Sequence, residues 1–130
     1  MNVAKVLVID DSRMMLVYLR RSLEKGGFEV ETWVPMSAME IPGKLTESAP
    51  DLVLTDYQMP GCNGTSVARM VGKASPGLPV LVLTAFRDAE MEANLLKLGV
   101  KQVLSKPISS DLLLKAVGET LAAPRAEAAS

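Results

Sequence analysis

The chain has 130 residues, of which 48% are apolar and 22% charged, and its formal net charge is −1. A chain of this length is expected to form one domain and to bury about two-thirds of its unfolded surface without a disulfide or a structural metal. The near-neutral charge argues against direct binding to nucleic acid or to an anionic membrane surface.

The histidine and cysteine content narrows the chemistry further. The sequence contains no histidine and one cysteine, Cys62. Without histidine the chain lacks the commonest general base, the commonest zinc ligand and the means to form a phosphohistidine. One cysteine excludes an internal disulfide, and the absence of a signal peptide or long apolar run favours a cytoplasmic location. Cys62 itself is predicted to be an incidental exposed thiol on a loop.

The first third of the chain predicts a strand, a helix and a second strand. Residues 3–9 form a nearly continuous apolar run, typical of a parallel strand covered on both faces. Ser12 is placed to cap the following helix, and Gly26 and Gly27 to end it. Residues 28–34 are more polar and predict a second strand nearer the edge of a sheet.

The second helix is the hardest element to place. Pro42 and Gly43 interrupt the segment 37–48, and a proline inside a helix removes a backbone hydrogen bond. The sequence therefore predicts a turn near residues 37–41 and a short helix from about residue 42 to residue 47.

The rest of the chain repeats the strand and helix pattern three times. Strands are predicted over 51–56, 80–84 and 102–105, and helices over 64–73, over 88–98 and from a cap at Ser109 or Ser110 to residue 121. The domain is thus predicted to span residues 1–121. Residues 122–130 are mostly small and predict a disordered tail or the stump of a linker.

Alternating strands and helices predict a doubly wound α/β domain. Right-handed connections between parallel strands place helices on both faces of one sheet. Five such units suit the flavodoxin-like (βα)5 fold with strand order 2-1-3-4-5, which binds ligands outside the carboxyl ends of its strands.

Five polar side chains are predicted to meet at that carboxyl edge. Each stands at the end of a strand or just after it: Asp10, Asp11, Asp56, Thr84 and Lys106. Clustered carboxylates repel one another unless a cation is present, and oxygen ligands without histidine or cysteine favour Mg²⁺. A lysine and a threonine hydroxyl suit phosphoryl oxygens. The pattern predicts an anion brought to a metal beside a carboxylate.

These residues carry a family resemblance. The chain resembles a response-regulator receiver domain of two-component signalling, of the chemotaxis-regulator type, over residues 3–121. Five motifs in order carry it: Val-Ile-Asp10-Asp11-Ser12, Leu-Thr-Asp56-Tyr-Gln-Met-Pro60-Gly61, Gly64, Leu-Thr84-Ala85 and Ser-Lys106-Pro107. The resemblance implies that Asp56 accepts a phosphoryl group from a phosphohistidine of a partner, either a sensor histidine kinase or a phosphotransfer protein.

The resemblance also implies a role for each site residue. Asp11, Asp56 and the backbone carbonyl of Gln58 would bind Mg²⁺ directly, with Asp10 helping through water. The phosphoryl oxygens would be bound by Thr84 and Lys106. A carboxylate nucleophile assisted in this way agrees with the general chemistry of phosphoryl transfer.

The output side of the site departs from the family pattern. Receivers commonly carry Tyr or Phe three residues before the site lysine, whereas this chain has Val103. The resemblance implies a cis peptide between Lys106 and Pro107, a geometry tolerated mainly before proline. The switch is therefore predicted to involve backbone and helix movement over the fourth helix, the fifth strand and the last helix, without a ring flip at Val103. The loop that bears Ala85 and Phe86 is the nearest candidate for the contacts that change, and the target is an unknown downstream protein.

The first helix is predicted to help dock the kinase. Met14 and Val17 lie outside its core-facing stripe and among arginines. A helix that only packs on a core needs one apolar stripe, so the surplus apolar surface predicts a partner.

Three other functions share parts of the pattern. An aspartyl-phosphate phosphatase of the haloacid-dehalogenase type would carry an acid at the position of Gln58. An FMN carrier of the flavodoxin type would need a phosphate loop rich in small residues in place of Asp10, Asp11 and Ser12. A degenerate receiver, acting only as a phosphorylation-independent binding module, is the remaining alternative. The chain is not predicted to be an enzyme beyond its own phosphorylation and autodephosphorylation.

Overall fold

The structure is a computed structural model that describes residues 3–124. Its strands are β1 (Lys5–Ile9), β2 (Glu29–Trp33), β3 (Leu52–Asp56), β4 (Val80–Thr84) and β5 (Gln102–Ser105). Its helices are α1 (Arg13–Lys25), α2 (Ile41–Ser48), α3 (Gly64–Ala74), α4 (Ala89–Lys97) and α5 (Ser110–Ala122). Across residues 3–124, no helix reaches the length and apolarity that a membrane span requires.

The strands form one parallel sheet in the order β2-β1-β3-β4-β5, as predicted. Their register brings the strand ends to the same level: Ile9 pairs with Thr55, Asp56 with Leu83, and Thr84 with Ser105. The residues that follow these pairs therefore leave the sheet along one edge. The predicted flavodoxin-like arrangement is confirmed.

The two faces of the sheet carry separate cores because side chains alternate along each strand. Leu7 and Ile9 face the side covered by α2, α3 and α4, while Val6 and Val8 face the side covered by α1 and α5. Both faces of the sheet are therefore covered by helices and excluded from solvent, which explains the almost uninterrupted apolar runs of the central strands.

Side-chain caps start the helices close to the predicted positions. Ser12, Asn63 and Asp88 each accept a hydrogen bond from a backbone N–H in the first turn of α1, α3 and α4. Ser109, rather than Ser110, caps α5. These bonds satisfy donors that a helix cannot satisfy internally.

The segment around α2 follows the prediction to within one residue at each end of the helix. A short 3-10 turn at Ala38–Glu40 is closed by a capping box between Ser37 and Glu40. α2 then begins at Ile41, with Pro42 in its first turn, where a missing N–H costs nothing. Ile41 and Leu45 are both buried, and this burial extends α2 to eight residues despite Gly43.

The burial of Cys62 and the end of α5 differ from the prediction. Cys62 is 3% exposed and packs in the core on the α3 side, so the prediction of an exposed thiol is wrong. Burial raises the pKa of this thiol, which keeps it protonated. α5 runs to Ala122, one residue further than predicted, and the predicted tail at 125–130 lies outside the described residues.

Candidate functional site

β3 places Asp56 at the centre of the carboxyl edge. Every residue of this strand is buried, and Asp56 is 8% exposed. The backbone around it is held from both sides: the Thr55 hydroxyl donates to the carbonyl of Asp56 at 2.9 Å, and Tyr57 N–H donates to the carbonyl of Leu83 at 2.8 Å. The carboxylate of Asp56 thus starts from a rigid strand end.

Three carboxylates gather at this point. Asp10, Asp11 and Asp56 each offer an oxygen within 4.8 Å of the others. Asp10 is fully buried whereas Asp11 is exposed, so the cluster opens to solvent on one side only. Gln58, the fourth predicted metal residue, is exposed on the loop that leaves β3. A set of oxygen donors with an open side fits a hard divalent cation that keeps part of its water shell.

Lys106 joins two of these carboxylates from the end of β5. Its ammonium nitrogen lies 3.0 Å from Asp56 Oδ1 and 3.2 Å from Asp10 Oδ2. The backbone N–H of Lys106 donates to the carbonyl of Thr84 at 2.8 Å, which fixes the base of the side chain. The Lys106–Pro107 peptide is cis, as the resemblance implies, and Pro107 is exposed.

The ion pairs with Lys106 do not fully offset the negative charge of the three carboxylates. Burial raises the pKa of Asp56 above its usual value, the hydrogen bond from Lys106 opposes this rise, and the charges of Asp10 and Asp11 add to it. Burial would lower the pKa of Lys106, but its bonds and charge interactions with Asp56 and Asp10 outweigh burial and raise it. Ionisation of Asp56 therefore remains unfavourable despite Lys106, and a bound cation would supply the positive charge that favours it.

Asp10 is held by donors on both oxygens. Oδ1 accepts the backbone N–H of Ser12 at 2.9 Å and Oδ2 accepts from Lys106. This side chain is thereby fixed at the start of α1. Asp11, exposed beside it, remains open to a ligand that arrives from solvent.

Thr84 is buried at the end of β4, and its hydroxyl is turned toward its own loop. Thr84 Oγ1 donates to the carbonyl of Phe86 at 3.0 Å and accepts from the N–H of Phe86 at 3.2 Å. Ala85 and Phe86 are both exposed, the latter at 82%. The structure thus brings Thr84 to the predicted edge but pairs its hydroxyl with the Phe86 backbone.

Val103 lies apart from the pocket. It is 5% exposed, pairs with Val82 in the sheet and packs in the core on the α4 side. Since valine has one strongly preferred χ1 rotamer in a packed strand, it has little freedom to change position there.

Two local contacts beside the site were not predicted from the sequence. The Tyr18 hydroxyl on α1 donates to the carbonyl of Ile108 at 2.6 Å and so ties α1 to the loop that follows Lys106. The backbone N–H of Gly64 donates to the carbonyl of Tyr57 at 2.7 Å, and a Cβ on Gly64 would lie 2.9 Å from the Tyr57 ring. The glycine signal at 64 was visible in the sequence, whereas nothing in the spacing of Tyr18 and Ile108 indicates their contact.

Comparison with known proteins identifies the family. The family model of the response regulator receiver domain matches residues 6–118. The chain is a response regulator receiver domain. Chemotaxis protein CheY of Bacillus subtilis (strain 168) is 27% identical over 90% of this receiver and 97% of that protein. The solved structure of chemotaxis protein CheY4 of Vibrio cholerae gives a TM-score of 0.83 at 28% identity, over 92% of this receiver and 99% of that chain.

Other relatives are longer. The phosphate regulon transcriptional regulatory protein PhoB of Rhizobium meliloti (strain 1021) is 31% identical over 97% of this receiver, which spans 56% of that protein. The receiver is therefore a module shared by regulators of different size. Membership of this family places the chain in two-component signalling and gives no support to the FMN-carrier and phosphatase alternatives. The degenerate alternative is not supported either, since the acid pocket is complete.

Proposed function

We propose that this receiver is the phosphoacceptor of a phosphorelay. Asp56 takes a phosphoryl group from a histidine kinase or phosphotransfer protein in a Mg²⁺-dependent reaction, and the change alters contacts with a downstream protein. The observation that supports this most directly is the cluster of Asp10, Asp11 and Asp56, two of which, Asp10 and Asp56, pair with the ammonium of Lys106.

The reaction is a displacement at phosphorus. A carboxylate oxygen of Asp56 forms a bond to phosphorus while the bond from phosphorus to the donor's imidazole nitrogen breaks, and that nitrogen keeps the electron pair. Asp11, Asp56 and the carbonyl of Gln58 would hold Mg²⁺, which supplies positive charge to the phosphoryl oxygens. Burial of Asp56 fixes the direction of attack, which favours a positioned nucleophile.

Lys106 and Thr84 complete the pocket. The Lys106 ammonium already contacts Asp56 and Asp10. A short movement of this ammonium would therefore exchange its contact with the free carboxylate for one with a phosphoryl oxygen. The Thr84 hydroxyl can reach the same group only after giving up its donor bond to Phe86. Lys106 is thus a donor in place before the reaction, which stabilises a transition state at low cost in reorganisation, whereas Thr84 must first turn.

A groove on α1 is the proposed docking place of the kinase. A cavity of about 890 Å³ lies between α1 and the start of α5. Its apolar lining includes Met14 and Val17, which are 84% and 49% exposed. Its rim carries three cations and one acid: Arg13, Arg21, Lys25 and Glu24. An apolar groove with a basic rim is complementary to an acidic amphipathic helix, and it starts beside the phosphorylation edge.

Transfer of labelled phosphoryl groups tests the proposal. The receiver is incubated with a small phosphoramidate donor, with and without Mg²⁺, and the label on the protein is counted. We expect incorporation only with Mg²⁺, none in Asp56→Asn, and normal incorporation in Asp111→Asn, an exposed acid at the start of α5. Unlabelled wild type, or equal labelling of Asp56→Asn, would contradict the proposed function.

A further inference from the structure

The aromatic ring that follows Thr84 stands on the loop after β4, not on β5. Val103 occupies the β5 position and is fixed in the core, whereas Phe86 follows Thr84 by two residues. Phe86 is 82% exposed, although phenylalanine is among the residues most often buried. A ring with this exposure has apolar surface to bury if its loop changes conformation.

The Thr84 hydroxyl restrains the backbone of this loop at Phe86. It bonds both the N–H and the carbonyl of Phe86, at 3.2 Å and 3.0 Å, and so fixes the backbone on either side of the ring. A hydroxyl has one proton to donate. If Thr84 donates to a phosphoryl oxygen on Asp56, it can no longer donate to Phe86, and the restraint on the loop is released.

Space for the ring exists next to it. A cavity of about 160 Å³ is lined by Tyr57, Gln58, Thr84, Phe86, Asp88 and Met91. An enclosed apolar cavity of about 150 Å³ can bind benzene, so the volume of this cleft, which is partly open to solvent and mixed in its lining, is comparable with the space that a phenyl ring needs. Tyr57 offers an aromatic face and Met91 a flexible thioether, both favourable neighbours for a ring.

We propose that Phe86 is the aromatic switch of this receiver. When the Thr84 hydroxyl turns to the phosphoryl group, Phe86 leaves solvent and enters the cavity against Tyr57 and Met91. The surface before α4 then loses an exposed ring, which gives a downstream protein two distinct surfaces to distinguish. This inference rests on the proposed function, because phosphorylation of Asp56 is what recruits Thr84.

Fluorine nuclear magnetic resonance can follow this ring directly. The chain has two phenylalanines, so protein labelled with 4-fluorophenylalanine gives one signal for Phe86 and one for the half-buried Phe28. Phe86→Leu assigns the signals. Exposure is measured as line broadening by a soluble gadolinium chelate, with and without Mg²⁺ and beryllofluoride, whose own fluorine signal reports binding at Asp56.

We expect bound beryllofluoride to reduce the broadening of the Phe86 signal to the level of Phe28, while Phe28 stays unchanged. Thr84→Val, which keeps the shape but removes the hydroxyl, should protect Phe86 without beryllofluoride, whereas Thr84→Ser should leave it exposed. An exposed Phe86 with bound beryllofluoride, or in Thr84→Val, would overturn the switch but not the phosphoacceptor function. No bound beryllofluoride in wild type would overturn both.

Discussion

The ammonium nitrogen of Lys106 lies 3.0 Å from a carboxylate oxygen of Asp56, and yet the pKa of Asp56 is raised. Burial and the neighbouring acids Asp10 and Asp11 therefore outweigh this ion pair. Ionisation of the pocket therefore costs stability when no cation is bound.

Asp56→Asn should accordingly stabilise the metal-free protein by about 1 kcal/mol at neutral pH. A raised carboxyl pKa means that ionisation is harder in the folded state, so the cost is present above the folded pKa and disappears below the ordinary value. Urea unfolding of both proteins at neutral and acidic pH measures the difference. Wild type that is more stable than Asp56→Asn at neutral pH without Mg²⁺ would contradict this.

Asp11→Ala should weaken Mg²⁺ binding. Asp11 is the exposed member of the three-carboxylate cluster, and its loss removes a proposed direct ligand. We expect the affinity to fall by at least about tenfold, since loss of even an outer-shell partner has effects of that size. Titration calorimetry measures it, with Asp111→Ala as the control outside the cluster. Equal affinity in wild type and Asp11→Ala would exclude Asp11 as a ligand.

Val17→Glu should slow phosphotransfer from the kinase but not from a small phosphodonor. The substitution places a charge in the apolar groove on α1, away from Asp56. Leu96→Glu on α4 is a matched control, because Leu96 and Val17 are 50% and 49% exposed. Initial rates with both donors separate docking from chemistry. A similar loss with both donors would indicate damage to the pocket or the fold rather than to docking.

Glu31→Gln should make stability less dependent on pH. Lys44 Nζ and Lys5 Nζ lie 2.5 Å and 3.2 Å from the Glu31 carboxylate, and Lys44 is the main cause that lowers the pKa of Glu31 from 4.5 to about 2. Because the folded pKa is lowered, the stabilisation is present above the ordinary value and is lost as pH falls toward 2. At about 1.4 kcal/mol per unit, reduced for partial exposure, it contributes about 1–2 kcal/mol.

Chemical unfolding at a series of pH values tests this contribution. The difference in the free energy of unfolding between wild type and Glu31→Gln should be largest near neutral pH. It should disappear as the pH falls from 4.5 to 2. Glu47→Gln is the control, since Glu47 also pairs with Lys44, at 3.5 Å, but is 75% exposed in its side chain. A constant gap across the series would show that Glu31 stabilises by packing rather than by charge.

The sheet and the convergence of the site residues can be predicted from local sequence patterns. Apolar runs that end in Asp10, Asp56, Thr84 and Lys106 can be read locally, because strand burial and helix caps depend on neighbouring residues. Once the strands are parallel and connected by right-handed crossovers, their ends must meet at one edge. The ring of groups around Asp56 therefore followed from local patterns and topology together.

The burial of loop and helix side chains, and the pairing of groups distant in sequence, depend on packing across the whole domain. Cys62 and Ile41 are buried because the core on their side of the sheet accepts them, which no local pattern encodes. The bond from Tyr18 to Ile108 and the restraint of Phe86 by Thr84 depend on distances of a few ångströms. Such distances are set by packing across the whole domain, so they emerge only when every element is in place.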